Sequence, residues 1–292
     1  MESTKSHIAV FSANLIYGVN YTIAKGIMPD YIQPFGLTML RVFGAIFLFW
    51  TLSFFYKNEK IEKKDFFRLA LCGLFGVAIN QLMFLKGLDY TNPIDASIIM
   101  TVNPILVLII ASFLINEKIT FLKILGIIVG AAGALTLILF SGKASFSSNT
   151  FLGNLMMLVN ASSYAVYLVI AKPLMLKYKP ITVIKWVFLF GSFVIIPVGF
   201  KEFGEIVWTE IPINIYLSIL YLIVFTTFFA YLLNIYGLKI LNSSTVSIYI
   251  YSQPILAAIV AIILGKDSLD FIKILSTILV FIGVFLVSKQ QK

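Results

Sequence analysis

The stretch "NPILVLII", Asn103–Ile110, returns in outline 150 positions later as "QPILAAIV", Gln253–Val260. Both stretches are apolar enough to belong to a membrane-crossing helix. Yet each carries a proline, which in a helix interior removes a backbone hydrogen bond and clashes with the preceding turn. Pro104 and Pro254 therefore ask whether the chain is duplicated. Sliding it on itself by 150 residues gives 17 identities over the 51 positions 87–137, with no gap. Gly87–Leu88 falls on Gly237–Leu238, Asn92 on Asn242, Ser97 on Ser247, Lys123 on Lys273 and Gly133 on Gly283. An apolar composition produces chance matches of Ile and Leu, but not matched Pro, Gly, Asn and Lys in register.

The chain is an integral membrane protein by composition. Hydrophobic residues make up 60% and charged residues 12%, with a mean hydropathy of +0.99; soluble domains carry about 25% charged residues. The net charge of +9 does not indicate nucleic acid, because the basic residues form no patch with interleaved aromatics. They sit in short connections between apolar runs, where they set orientation in the membrane. Cys72 is the single cysteine and His7 the single histidine. An internal disulfide is thus excluded, a metal cluster is not expected, and no cofactor is implied. The first apolar run contains Asn14, Asn20 and Lys25 and lacks a small-residue cleavage site, so it reads as a retained span.

About 20 apolar residues cross the hydrocarbon core as a helix. On that rule the spans run near 7–27, 34–55, 66–86, 93–115, 121–140, 151–172, 181–200, 212–235, 244–264 and 270–288. Both termini and the even-to-odd connections collect fifteen Lys and Arg residues and the opposite side six, which puts both termini in the cytoplasm. Each half, 1–142 and 143–292, holds five spans. An odd number means that the second half enters from the opposite side. The expected fold is an all-α integral membrane protein of ten transmembrane helices, arranged as two inverted five-helix repeats around a central cavity. Secondary transporters are commonly built so, with the substrate near the midplane.

Polar side chains inside spans face the bundle interior or a water-filled space. In the first span Asn14, Tyr17, Gly18, Tyr21 and Lys25 lie on one helical stripe; in the sixth Asn160, Ser163, Tyr164 and Tyr167 do the same. Spans 3, 4, 8 and 9 add Asn80, Gln81, Thr101, Asn103, Thr226, Thr227, Tyr231, Asn234, Tyr251 and Gln253. The candidate cavity lining is Asn14, Tyr17, Tyr21, Gln81, Thr101, Asn103, Asn160, Tyr164, Tyr167, Tyr231, Tyr251 and Gln253. Inter-helix hydrogen bonding is the plainer use of the same residues. Arg41, Lys86 and Asp95 are the charges near the spans. Arg41 serves either an anionic substrate group or a tie to backbone carbonyls, and Asp95 either a proton or a helix start. Pro104 and Pro254 read as matched helix bends that turn Asn103 and Gln253 inward. Gly126, Gly130 and Gly133 allow close helix packing, inside the fold or in a dimer.

"YGVNYTIAK" (Tyr17–Lys25), "LR" (Leu40–Arg41), "NQLMFLKGLDYTNPIDASII" (Asn80–Ile99) and "NPILVLIIASFLINEKIT" (Asn103–Thr120) resemble the drug/metabolite transporter superfamily, EamA-like branch. The resemblance implies ten spans in a five-plus-five arrangement, with spans 5 and 10 at the back. It also implies movement of small metabolites, often amino acids or related compounds, usually outward. Tyr17 stands where the family usually has Trp. Glu117 fits the family's acidic position after the first proline helix, while the second half has Asp267 there. The small multidrug members use a Glu in span 1, and this span has none, which argues against their proton exchange.

The expected function is a secondary transporter in the cytoplasmic membrane, exporting a small polar metabolite by alternating access. A passive channel and an integral membrane enzyme are the weaker alternatives. The partners expected are a small-molecule substrate and membrane lipid; a monomer is slightly favoured over an oligomer.

Overall fold

The computed structural model describes residues 2–56, 59–91, 93–140, 151–256 and 271–288. Its regular elements are helical. They are α1 (Glu2–Lys25), α2 (Pro34–Ser53), α3 (Lys63–Tyr90), α4 (Pro93–Met100), α5 (Asn103–Leu114), α6 (Phe121–Phe140), α7 (Phe151–Lys177), α8 (Pro180–Gly204), α9 (Ile213–Ile240), α10 (Ser243–Ile248) and α11 (Phe271–Ser288). Five of them, α2, α3, α7, α8 and α9, are long and apolar enough to cross a membrane, and shorter apolar helices accompany them. The outer face is apolar: Phe47, Phe113, Phe121, Leu176, Phe193 and Phe271 are all strongly exposed. Exposed apolar surface on this scale is costly in water and free of that cost in lipid.

The helices pack in matched couples. α2 lies along α8, α6 along α11, α1 along α9 and α3 along α7. Small residues set the closest approaches. A Cβ on Gly283 would meet the Gly126 carbonyl oxygen at 2.6 Å and the Gly130 backbone nitrogen at 2.7 Å, so α6 and α11 touch backbone to backbone. Gly126, Gly130 and Gly133 are all spent on contacts within the chain, Gly130 against the Tyr251 ring.

Helix ends buried in a bundle need partners for their free backbone groups. α2 and α8 each begin with proline after a residue that gives no side-chain cap, and each borrows a carboxylate instead. Glu202, at the end of α8, accepts from the amides of Phe35 and Gly36 at 2.6 and 2.9 Å. Glu59, beyond the end of α2, accepts from the Lys179 amide at 2.9 Å and the Thr182 hydroxyl at 2.7 Å. A carboxylate there also meets the positive end of the helix dipole.

The C-terminal ends of α3 and α9 are treated the same way with opposite charge. The Lys25 ammonium donates to the carbonyls of Leu88, Asp89 and Thr91 at 2.9, 2.7 and 3.1 Å. The Lys172 ammonium donates to those of Leu238, Lys239 and Leu241 at 2.8, 3.3 and 2.8 Å. Both lysines follow the tripeptide pattern Ile-Ala-Lys, Ile23–Lys25 and Ile170–Lys172.

Two features depart from ten uninterrupted spans. The predicted span 93–115 is two helices, α4 and α5, separated by a turn at Thr101–Val102. Proline disfavours α geometry in the residue before it, and Pro104 sits at the start of α5. Across the matching stretch, α10 gives way to a 3₁₀ turn over Tyr249–Ser252 just before Gln253 and Pro254. Both prolines therefore follow an interruption of the α-helix, a turn in one half and a 3₁₀ segment in the other. The second departure is a widened π turn inside α3, Leu74–Ile79, and another inside α9, Leu222–Phe229. The residues of the predicted ninth span beyond 256 lie outside the described residues.

Candidate functional site

A cavity with several polar side chains in its wall lies among α1, α2, α3, α4, α7, α9 and the Tyr249–Gln253 turn. Its walls are built from Tyr17, Asn20, Tyr21, Arg41, Asn80, Gln81, Phe84, Met100, Asn160, Tyr164, Thr226, Tyr231, Ile250 and Gln253. The space open to the centre of a water-sized sphere is about 60 Å3, the liquid volume of roughly two waters.

The π turns place much of this wall. In a π turn one residue is inserted into the helical repeat, which shifts side chains around the axis and leaves carbonyls underused. In α9 the Thr227 hydroxyl donates to the Leu222 carbonyl, five residues back, at 2.7 Å. Thr226 then lines the cavity while Thr227 receives the Arg41 Nε–H at 3.0 Å. In α3 the Gly76 carbonyl accepts from the Tyr231 hydroxyl at 3.1 Å, and Asn80 and Gln81 follow directly.

Two polar networks cross between helices. Tyr21 donates to Gln253 Oε1 at 3.1 Å, Gln253 Nε2 donates to Asn14 Oδ1 at 2.8 Å, and Asn14 Nδ2 closes onto the Val10 carbonyl at 2.8 Å. On the other side Asn160 Nδ2 donates to the Asn80 carbonyl at 2.7 Å, and Asn80 Oδ1 accepts from the Tyr231 hydroxyl at 3.1 Å. Tyr231 also stands edge-on to Tyr17, with ring centroids 6.3 Å apart.

Several buried polar atoms in the cavity wall have no hydrogen-bond partner among the described residues. They are Arg41 Nη1, both polar atoms of the Gln81 amide, Asn20 Oδ1, Asn160 Oδ1 and Thr226 Oγ1. Leaving such groups unpaired costs about 1–3 kcal/mol each, more for a charge. Arg41 is 3% exposed, and no carboxylate is among the described lining residues.

Of the residues singled out from sequence, the structure brings Tyr17, Tyr21, Gln81, Asn160, Tyr164, Tyr231, Gln253 and Arg41 together around this cavity. It places the others elsewhere. Asn14 stands behind Gln253. Asn103 donates to the Ala161 carbonyl at 2.7 Å, a helix-to-helix bond to α7. Gln253 reaches the cavity with one methylene more, and Asn103 stays in the interface. The Tyr167 ring lies where a Cβ on Gly76 would be, and the Tyr251 ring fills the place of one on Gly130. Thr101 borders a separate, mostly apolar hollow of about 510 Å3, between α4–α5, α6 and α7. Lys86 pairs with Asp89 at 3.2 Å and lies 4.4 Å from the centre of the Tyr90 ring. Asp95 lies on α4, and its side chain is outside the described residues, as is Asp267. Glu117 and Lys123 form an ion pair of 2.8 Å in which both side chains are 7% exposed.

Asn20, Phe84, Met100 and Ile250 are lining residues that the polar stripes do not single out. Asn20 precedes Tyr21, and only the unfinished stripe beside it marked the helix face. Apolar members of a cavity wall carry no sequence signal that separates them from core. Lys172 was legible: aligning Ile23–Lys25 with Ile170–Lys172 finds it at once.

A helical bundle with an apolar exterior and a central cavity walled in part by buried polar side chains is the architecture of an integral membrane protein. The chain belongs to the EamA-like transporter family, which it matches over residues 4–139 and 151–289, and is an integral membrane transporter. It is 26% identical over 278 residues to an "Uncharacterized transporter" of Archaeoglobus fulgidus, covering 94% of this chain and 95% of that one. A second Archaeoglobus fulgidus "Uncharacterized transporter" is 25% identical, covering 99% of both. "Uncharacterized transporter YetK" of Bacillus subtilis is 23% identical, covering 98% of this chain and 88% of its own. One solved structure, described as "Crystal structure of protein", superposes with a TM-score of 0.78 at 18% identity, covering 98% of this chain and 97% of that one. That likeness concerns the fold.

Proposed function

We propose that this transporter exports small polar metabolites, amino acids or related compounds, by alternating access between two inverted five-helix repeats, 1–142 and 143–292. It sits in the cytoplasmic membrane with both termini inside and acts as a monomer without a cofactor. The observation that carries the reading is the central cavity itself, with aromatic faces and unpaired polar atoms in an otherwise apolar bundle.

The paired construction supports the inverted repeat. Lys25 and Lys172, Glu59 and Glu202, and the two π turns are matched devices on matched helices. α1 packs on α9 as α7 packs on α3, and α2 and α8 pack on each other, as a pseudo-two-fold axis between repeats requires.

Reconstitution into liposomes tests the proposal. Saturable uptake, accelerated by unlabelled solute on the far side, is expected for at least one amino acid or related metabolite. Flux that rises linearly with concentration would favour a channel, and no flux across a broad panel would contradict transport of this class.

A further inference from the structure

We infer that the transported solute carries a carboxylate, and that Arg41 receives it in the cavity. The inference rests on the transporter reading and adds the charge of the substrate to it.

Four observations converge on Arg41. It stands in the eighth position of α2, deep in a helix with no other charge. It lines the cavity and is 3% exposed. Its Nε–H is taken by Thr227, which fixes the plane of the guanidinium, while Nη1 has no hydrogen-bond partner among the described residues. Finally, the described lining residues include no carboxylate to balance it. A guanidinium cannot shed its proton at ordinary pH, so desolvation is offset only by an anion or by several acceptors. The cavity is therefore a site with the cation supplied and the anion missing.

The same facts choose among anions. One guanidinium balances one negative charge. A phosphate monoester carries about −1.5 to −2 at neutral pH, which one guanidinium leaves partly uncompensated. A carboxylate matches it in charge and can accept from the free Nη1. Gln81 and Thr226 offer further donors on the wall, and Asn20 Oδ1 and Asn160 Oδ1 offer free acceptors to a neutral or cationic group elsewhere on the solute. The space of about 60 Å3 limits what is enclosed to a compact molecule or a compact head.

Arg41 has no twin. Aligning Pro34 with Pro180 brings Val187 of α8 opposite it, a buried apolar residue. The scaffold is doubled and the charge is single, as expected for a group that reads an unsymmetrical solute.

Purified full-length protein in detergent tests the inference by thermal-shift binding with matched acids and amides. The pairs are alanine and alaninamide, serine and serinamide, lactate and lactamide, and leucine and leucinamide, with inorganic phosphate as a separate arm. At least one acid is expected to stabilise the wild type while its amide binds on the order of 100-fold more weakly. Arg41→Gln should bring acid and amide together, and Arg41→Lys should keep the preference with weaker binding. A purely structural Arg41 would lower the melting temperature of Arg41→Gln and leave any acid preference in place. Amides binding as tightly as their acids, phosphate binding above every acid, or no binding by any acid overturns the inference. Saturable liposome flux of solutes without a carboxylate would retain the transporter reading and sink this one alone.

Discussion

Lys25 and Lys172 occupy matching places on α1 and α7 and tie off matching helix ends, each with three bonds to backbone carbonyls. Arg41 faces the cavity from α2, and the residue in its place on α8 is Val187. The two lysines use their charge on the protein's own backbone and are complete as they stand. The arginine is buried with one nitrogen unpaired and is complete only with something added. These two lysines hold the frame, and Arg41, which has no twin on α8, is the charge assigned to the cargo.

Breaking this comparison has its largest expected effect at Arg41. Arg41→Gln should lower liposome flux on the order of 100-fold while the protein still reaches the membrane in a folded form. Equal flux would place Arg41 with the structural charges.

Gly283→Leu comes next. Its side chain would be driven into the backbone of Gly126 and Gly130, and overpacking of this kind costs typically about 1–3 kcal/mol. A lower melting temperature and a poorer folded yield are expected, since α6 and α11 must separate. An unchanged melt would show that the two helices are free to part.

Lys25→Met and Lys172→Met sharpen the comparison itself. Each should destabilise the protein by about 1.5–3 kcal/mol, the range for hydrogen bonds to a charged group. The two losses should be alike and add in the double variant, because the sites share no partner. Thermal melts of the three variants measure this. A large loss in one and none in the other would break the equivalence of the two ends. Glu59→Gln and Glu202→Gln should behave as a second, weaker pair, about 1 kcal/mol each, as for a lost helix cap.

The smallest effect is expected at Glu62, ahead of α3. Its bond to Lys64 and the charge of Lys177 hold its carboxyl below the ordinary value of 4.5. A depressed carboxyl stabilises the fold above its unfolded pKa and loses that contribution as pH falls through the folded one. Any benefit should therefore fade below about pH 4.5 and with added salt, since the pair is exposed to solvent. Glu62→Gln should melt within error of the wild type at neutral pH.

Much of this was legible in the chain. The 150-residue repeat, the composition and the apolar runs gave a helical membrane transporter, and the EamA-like resemblance holds over residues 4–139 and 151–289. The stripes on α1 and α7 pointed to Tyr17, Tyr21, Asn160 and Tyr164, because a period of 3.6 fixes which side chains share a face. The period fails where the helix changes type. Polarity inside a span marked Asn80, Gln81 and Thr226, but a 3.6 spacing does not place them, because Thr226 lies within the π turn of α9 and Asn80 and Gln81 follow that of α3. Nor does pattern separate Gln253, which lines the cavity, from Asn103, which does not: each bonds across to the first helix of the other half. Tyr167 and Tyr251 fill hollows left by glycines on other helices, a contact over long sequence distance. Pro104 follows a two-residue turn and Pro254 a 3₁₀ turn, and of the two amides before them only Gln253 lines the cavity.

The most direct test is counterflow in proteoliposomes with one matched pair, an acid that the wild type accumulates and its amide. The account predicts saturable accumulation of the acid, little of the amide, and neither above background with Arg41→Gln. Equal movement of acid and amide by both proteins would contradict it.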